Sequence, residues 1–102
     1  MLEMKLNLHK IEKVPPLYSQ ENSDDPICYV KFFDPCSNWT WYGMEYDPND
    51  KLFFGYVIGF EKELGYFSLD ELMGVKNKLG LPLEMDLHFD PTPLSKVKEL
   101  ET

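Results

Sequence analysis

Two apolar runs separated by a turn signal limit the folds open to this chain. Trp39 to Tyr46 and Leu52 to Phe60 are rich in aromatic and β-branched residues, and Asp47-Pro48-Asn49-Asp50 lies between them. Runs of that composition bounded by Asp, Pro and Asn read as strands joined through a tight turn. An antiparallel hairpin is therefore predicted. Gly55 and Gly59 share a face of the second run with Phe53 and Val57. Glycine inside a strand marks a bulge or the close approach of a bulky neighbour, so rings from the partner strands are expected to fill that space.

The remaining segments build around this hairpin. The Pro-, Asn- and Asp-rich stretch 15–26 reads as a loop, and a strand follows at Ile27 to Phe33. In strict alternation Ile27, Tyr29, Lys31 and Phe33 take one face, and Cys28, Val30 and Phe32 the other. Both faces are largely apolar, which suits a central strand. Gly65-Tyr66-Phe67 is expected to be a short fourth strand. Ser68 and Glu71 then form a capping box. The helix they open carries the stripe Leu69, Leu72, Val75 and Leu79, with Lys76 and Lys78 near its end and Gly80 as its C-cap. Residues 2–13 fit either an alternating strand or a helical face; a helix is favoured because Lys10, Glu12 and Lys13 break the alternation and Pro15-Pro16 end it. Residues 81–89 read as extended, and Thr92-Pro93 as the N-cap and first position of a last helix ending near Leu100. The sum is a single α+β domain over residues 1–102. It has an antiparallel sheet of three to five strands, with two or three helices packed mainly on one face.

Composition bounds the function. The 102 residues are 43% hydrophobic, enough to bury a core without metal or disulfide staples. Eighteen acids oppose ten bases, for a formal charge of −8, and every base is lysine. Arginine is the preferred residue for bidentate recognition of phosphate and guanine. An acidic, arginine-free domain is therefore not expected to bind nucleic acid directly, nor an anionic membrane surface. No apolar stretch approaches the roughly 20 residues of a membrane span, and the opening residues lack the apolar core of a signal peptide. With residues 27–34 extended, Cys28 and Cys36 stand roughly 20 Å apart or more, too far for a disulfide. Two free thiols and a reducing, cytoplasmic setting are expected.

Three groups of residues are candidates for a site. Glu84, Asp86, His88 and Asp90 alternate along the extended segment, and carboxylates with an imidazole on one face are ligands for a divalent cation. In a line they span roughly 20 Å, and the same charges also protect an edge strand from pairing. Trp39, Trp41 and Tyr42 are ring types enriched at binding hot spots, although in a small domain they also serve as core. Residues 21–50 hold seven acids and one base, Lys31. Asp24, Asp25, Asp47 and Asp50 are the acids on which a partner with a basic surface is expected to dock. No cofactor is expected. The histidines are His9 and His88 alone, and no nucleophile motif or phosphate-binding glycine loop is present.

Several motifs occur in order along the chain: Pro15-Pro16-Leu17-Tyr18, Val30-Lys31-Phe32-Phe33, Ser37-Asn38-Trp39-Thr40-Trp41-Tyr42, Leu52-Phe53-Phe54-Gly55, Glu63-Leu64-Gly65-Tyr66-Phe67-Ser68, Gly80-Leu81-Pro82 and Pro91-Thr92-Pro93-Leu94. Together they resemble the bacterial family catalogued as domain of unknown function 2958, over nearly the whole length. The resemblance implies a small protein of a plasmid, phage or integrated element, set in a bacterial cytoplasm among accessory and antirestriction-type genes. It implies no catalytic residues. The expectation is a non-enzymatic acidic interaction module, an inhibitor of a host defence or other nucleic-acid-acting enzyme. The alternative is a small metal-dependent hydrolase or nuclease accessory using Glu84, Asp86 and His88.

Overall fold

The computed structural model describes residues 3–101. In chain order the elements are α1 (Leu8–Glu12), β1 (Ile27–Cys28), β2 (Val30–Phe33), β3 (Thr40–Asp47), β4 (Leu52–Ile58), β5 (Lys62–Ser68), α2 (Leu69–Gly74), β6 (Glu84–Met85), β7 (Thr92–Pro93) and α3 (Leu94–Leu100). Five strands form one antiparallel sheet in the order β5-β4-β3-β2-β6, and β1 pairs with β7 beside it. The fold is α+β, with the β3–β4 hairpin at the centre of the sheet.

The sheet is covered on both faces. On one, Ile11 of α1 and Leu69 and Leu72 of α2 close over Phe32, Phe53 and Phe67. On the other, Leu94 and Val97 of α3 close over Cys28, Tyr42 and Tyr56. Each helix has seven residues or fewer, too short to hold its own shape in water, so docking onto the sheet is what stabilises it.

Local chemistry explains where the elements depart from the simple patterns. The first strand is interrupted at Tyr29, whose amide donates to the Gly43 carbonyl at 2.8 Å. The interruption changes the phase of the alternation: Cys28 faces α3, while Val30 and Phe32 face the α1 and α2 side. The α2 cap forms as expected, with Glu71 N–H donating to Ser68 Oγ at 3.0 Å. The helix then ends at Gly74 rather than running to residue 79. Asn77 ends the continuation, because its side-chain oxygen accepts from the Leu79 and Leu81 amides and organises a turn, leaving Leu79 73% exposed.

Residues 81–89 are extended only in part. Glu84 and Met85 pair with β2, and the chain then turns at Leu87 and His88. Lys10 Nζ donates to the carbonyls of Leu87 and Phe89 at 2.8 and 2.9 Å, which takes acceptors a ladder would need. The N-terminal helix is confined to five residues, capped by the Asn7 side chain. The cap of α3 is not Thr92. Asp25, seventy positions earlier, supplies it: Ser95 N–H donates to Oδ1 at 2.9 Å and Ser95 Oγ–H to Oδ2 at 2.6 Å.

Candidate functional site: an acidic aromatic cleft

A bulge in β3 creates the most distinctive surface of the molecule. Gly43 pairs with Gly55, but the next pair is Glu45 with Phe54, so Met44 is an extra residue in the ladder. An inserted residue inverts the alternation that follows it. Without it, Glu45 would point toward the α1 and α2 core; with it, Glu45 shares the face of Phe54 on β4 and Leu64 and Tyr66 on β5.

The Glu45 carboxylate is buried and organises the loop that crosses this face. Oε1 accepts the Tyr18 amide and Oε2 the Gln20 amide, each at 2.8 Å. Tyr18 sits at φ +70°, a left-handed conformation that a side chain of its size rarely adopts. Gln20 acts as a substitute for a missing strand residue. Its Nε2 donates to the carbonyls of Ile27 and Met44, and its Oε1 accepts the Ile27 amide at 2.7 Å. The loop is therefore bonded to the sheet at both ends of a short span, and the Tyr18 ring is held outward, 63% exposed.

The result is a cleft of about 500 Å³. Its rings are Tyr18, Phe54 and Tyr66, and its carboxylates are Glu21, Asp24 and Glu45; no lysine or histidine lines it. Phe54 and Tyr66 pack at 4.9 Å between centroids. The Tyr66 hydroxyl is raised above its ordinary value, first by a hydrogen bond with Tyr18, then by burial and by the charges of Tyr18, Glu45 and Glu21. The hydrogen bond with Tyr18 is the main cause, and the two carboxylates add the least. Ring faces beside the exposed carboxylates of Glu21 and Asp24 attract a cation through both the ring quadrupole and direct charge.

The acids and rings expected to bind a partner are dispersed. Asp24 lines the cleft. Asp25 is spent on the α3 cap, and the Ser95 hydrogen bonds hold its carboxyl below the usual range. Asp47 accepts the Asn49 amide in the hairpin turn at 2.9 Å, and Asp50 is exposed in the same turn. Tyr42 is buried at 3% exposure within the core; its hydroxyl donates to Glu101 at 3.0 Å and burial raises it. Trp39 and Trp41 are half-buried on the opposite face and stack at 5.7 Å. Phe60, 95% exposed, meets Trp39 edge-on at 5.3 Å. Trp39 and Phe60 border a second hollow of about 320 Å³ with Glu61 and Glu63 at its rim.

Glu84, Asp86 and His88, the expected metal ligands, border one open hollow together with Lys31 and Phe33. Glu84 is exposed on β6, Asp86 Oδ1 accepts the His88 amide within the turn, and His88 is exposed in that turn. Among the described residues no group of three or more His, Cys, Asp or Glu side chains is arranged to hold a metal ion. Tyr18, Phe54, Leu64 and Tyr66 were not anticipated as site residues, and Glu45 was counted among the acids of residues 21–50 but not among the four expected to bind. The signal that set Glu45 apart was its place as an acid inside an otherwise apolar and aromatic run.

No curated protein and no solved structure matches the chain. Among the described residues no helix is long and apolar enough to cross a membrane. A family model does match, covering residues 3–100, and on that match the chain belongs to the family described as protein of unknown function (DUF2958).

Proposed function

We propose that the protein is a non-enzymatic interaction module that receives a basic segment of a partner protein. The observation that carries this reading is the cleft in which Tyr18, Phe54 and Tyr66 stand beside Glu21, Asp24 and Glu45 with no cation among its lining residues. The overall charge of −8 supports it, because such a field raises the encounter rate with a basic partner and repels nucleic acid. In this reading the partner is a nucleic-acid-handling enzyme of a bacterial host, such as a defence enzyme. Its substrate groove is basic, and a mobile-element protein acting in the cytoplasm inhibits it. Glu84, Asp86 and His88 of the metal-dependent alternative share one hollow with Lys31, whose charge opposes a cation there.

The test compares wild type with the double variant Glu21→Lys and Asp24→Lys in a quantitative pull-down from bacterial lysate at low and high salt. Both residues are exposed, so the fold should tolerate the change. The expected result is a set of basic proteins retained by wild type at low salt, released at high salt, and absent from the variant. The same set retained by the variant would overturn the reading.

A further inference from the structure

The two edges of the sheet are built differently. At one edge, β6 contributes two residues before the chain turns away under Lys10. At the other, β5 runs for seven residues in unbroken register with β4, and no described strand lies on its outer side. Natural edge strands are blunted by short length, proline, bulges or charge. This edge has no proline and no bulge, and its charged residues, Lys62 and Glu63, are confined to one end. Its middle is Leu64-Gly65-Tyr66, with Leu64 and Tyr66 each about half exposed.

Both faces of β5 lead into acidic aromatic hollows. Leu64 and Tyr66 border the cleft that holds Glu21 and Asp24. Glu63 and Gly65 lie on the opposite face, where Glu63 rims the hollow beside Trp39 and Phe60. A Cβ placed on Gly65 would meet nothing within 4 Å, so the surface there is open. Side chains of a strand added along this edge would alternate between the two hollows. Each hollow offers rings for an apolar side chain and carboxylates for a cationic one.

We infer that β5 takes up an extended, lysine- or arginine-bearing segment of a partner as a sixth strand of the sheet. This rests on the basic-segment reading above and adds how the segment is held: by main-chain pairing along β5, with alternate side chains in the two hollows. Charge favours such a segment over a second copy of the chain, since self-pairing would bring two bodies of −8 edge to edge.

The probe is a synthetic heptapeptide, acetyl-Lys-Val-Lys-Val-Lys-Val-Lys-amide, added to the isotopically labelled full chain at neutral pH and low salt. Amide exchange and chemical shifts are read residue by residue. Amides on the outer side of β5 should slow about tenfold or more when the peptide binds. Shifts should appear at Tyr66 and Asp24 on one face and at Glu63 and Trp39 on the other. Binding confined to the cleft, with β5 exchange unchanged, overturns strand addition while leaving the basic-segment reading intact. No shift at any residue removes both. A protein that sediments as a dimer without peptide, with its β5 amides already protected, overturns the inference in favour of a second copy.

Discussion

The Glu45 carboxylate holds Tyr18 in a left-handed backbone conformation, its Oε1 accepting the Tyr18 amide at 2.8 Å while Tyr18 sits at φ +70°. Such a conformation costs a non-glycine residue on the order of 1–3 kcal/mol and persists where its surroundings over-determine it. The second oxygen secures Gln20, and Gln20 in turn bridges Ile27 and Met44. One buried acid thus connects the bulge in β3 to the loop that forms the cleft wall.

Removing that acid should open the loop. Glu45→Ala leaves two amides without their acceptors, and the expected loss is about 2–4 kcal/mol in urea denaturation. Glu45→Gln should lose roughly half as much, because it keeps one acceptor oxygen and sets an NH₂ against the other amide. Tyr18→Gly should stay within about 1 kcal/mol of wild type, since glycine adopts positive φ freely while adding entropy to the unfolded chain. A Glu45→Ala loss under about 0.5 kcal/mol would show that the loop is held by other contacts.

The cap that Asp25 lends to α3 should make stability depend on pH. The two hydrogen bonds from Ser95 hold the folded carboxyl below its ordinary value, so the unfolded chain binds the proton more readily. The stability this group contributes is therefore present above the unfolded value, about 3.9, and is lost as the pH falls through the lower folded value. Asp25→Asn should lower the urea midpoint at pH 7 and flatten its decline in the acid range. An unchanged midpoint together with an unchanged acid decline would remove Asp25 as the cap.

Much of the frame was legible in the sequence, because the turn residues sit where backbone geometry demands them. Asp47-Pro48-Asn49-Asp50 marked the hairpin, and Ser68 with Glu71 marked the start of α2. Where the structure departs from the pattern, a distant side chain has supplied or taken a hydrogen bond. Lys10 captures the carbonyls of Leu87 and Phe89, Asn77 stops α2, and Asp25 caps α3 from seventy residues away. None of these pairings has a local signature.

The cleft was illegible for a related reason. It depends on a single extra residue, Met44, which reverses the direction of Glu45. Strict alternation puts Glu45 on the α1 and α2 face, so a reading by period two sends the acid into the core. The acids of residues 21–50 were legible as a cluster in sequence, but the fold disperses them to a helix cap, a hairpin turn and the cleft.

The two thiols should separate cleanly by reactivity. Cys28 is fully buried, and burial, with the nearby Asp25 charge, pushes its thiol up to about 12. At pH 8 its thiolate fraction is on the order of 10⁻⁴, and the thiolate is the reacting form. Cys36 is exposed in the turn after β2. Native protein treated with iodoacetamide should gain one adduct by mass spectrometry, on Cys36, with the second appearing only in denaturant. Two adducts at equal rates under native conditions would place Cys28 in contact with solvent.

Three glycines on one face of the hairpin and its neighbour should rank in their tolerance of alanine. A Cβ at Gly65 meets nothing within 4 Å, so Gly65→Ala should change stability by no more than about 0.5 kcal/mol. A Cβ at Gly59 would fall 2.3 Å from the Trp39 ring. Trp39 must then move off its contacts with Trp41 and Phe60, for a loss of about 1–3 kcal/mol and a change in tryptophan emission. At Gly55 the obstacle is the backbone carbonyl of Tyr42, only 1.7 Å away, which no side-chain rotation can relieve. Gly55→Ala should therefore be the most damaging, costing more than about 3 kcal/mol or preventing folding, because the β3–β4 ladder itself must shift. Thermal and urea denaturation of the three variants checks the order. A Gly55→Ala protein as stable as Gly65→Ala would mean that the two central strands are not in the register that places Gly43 opposite Gly55.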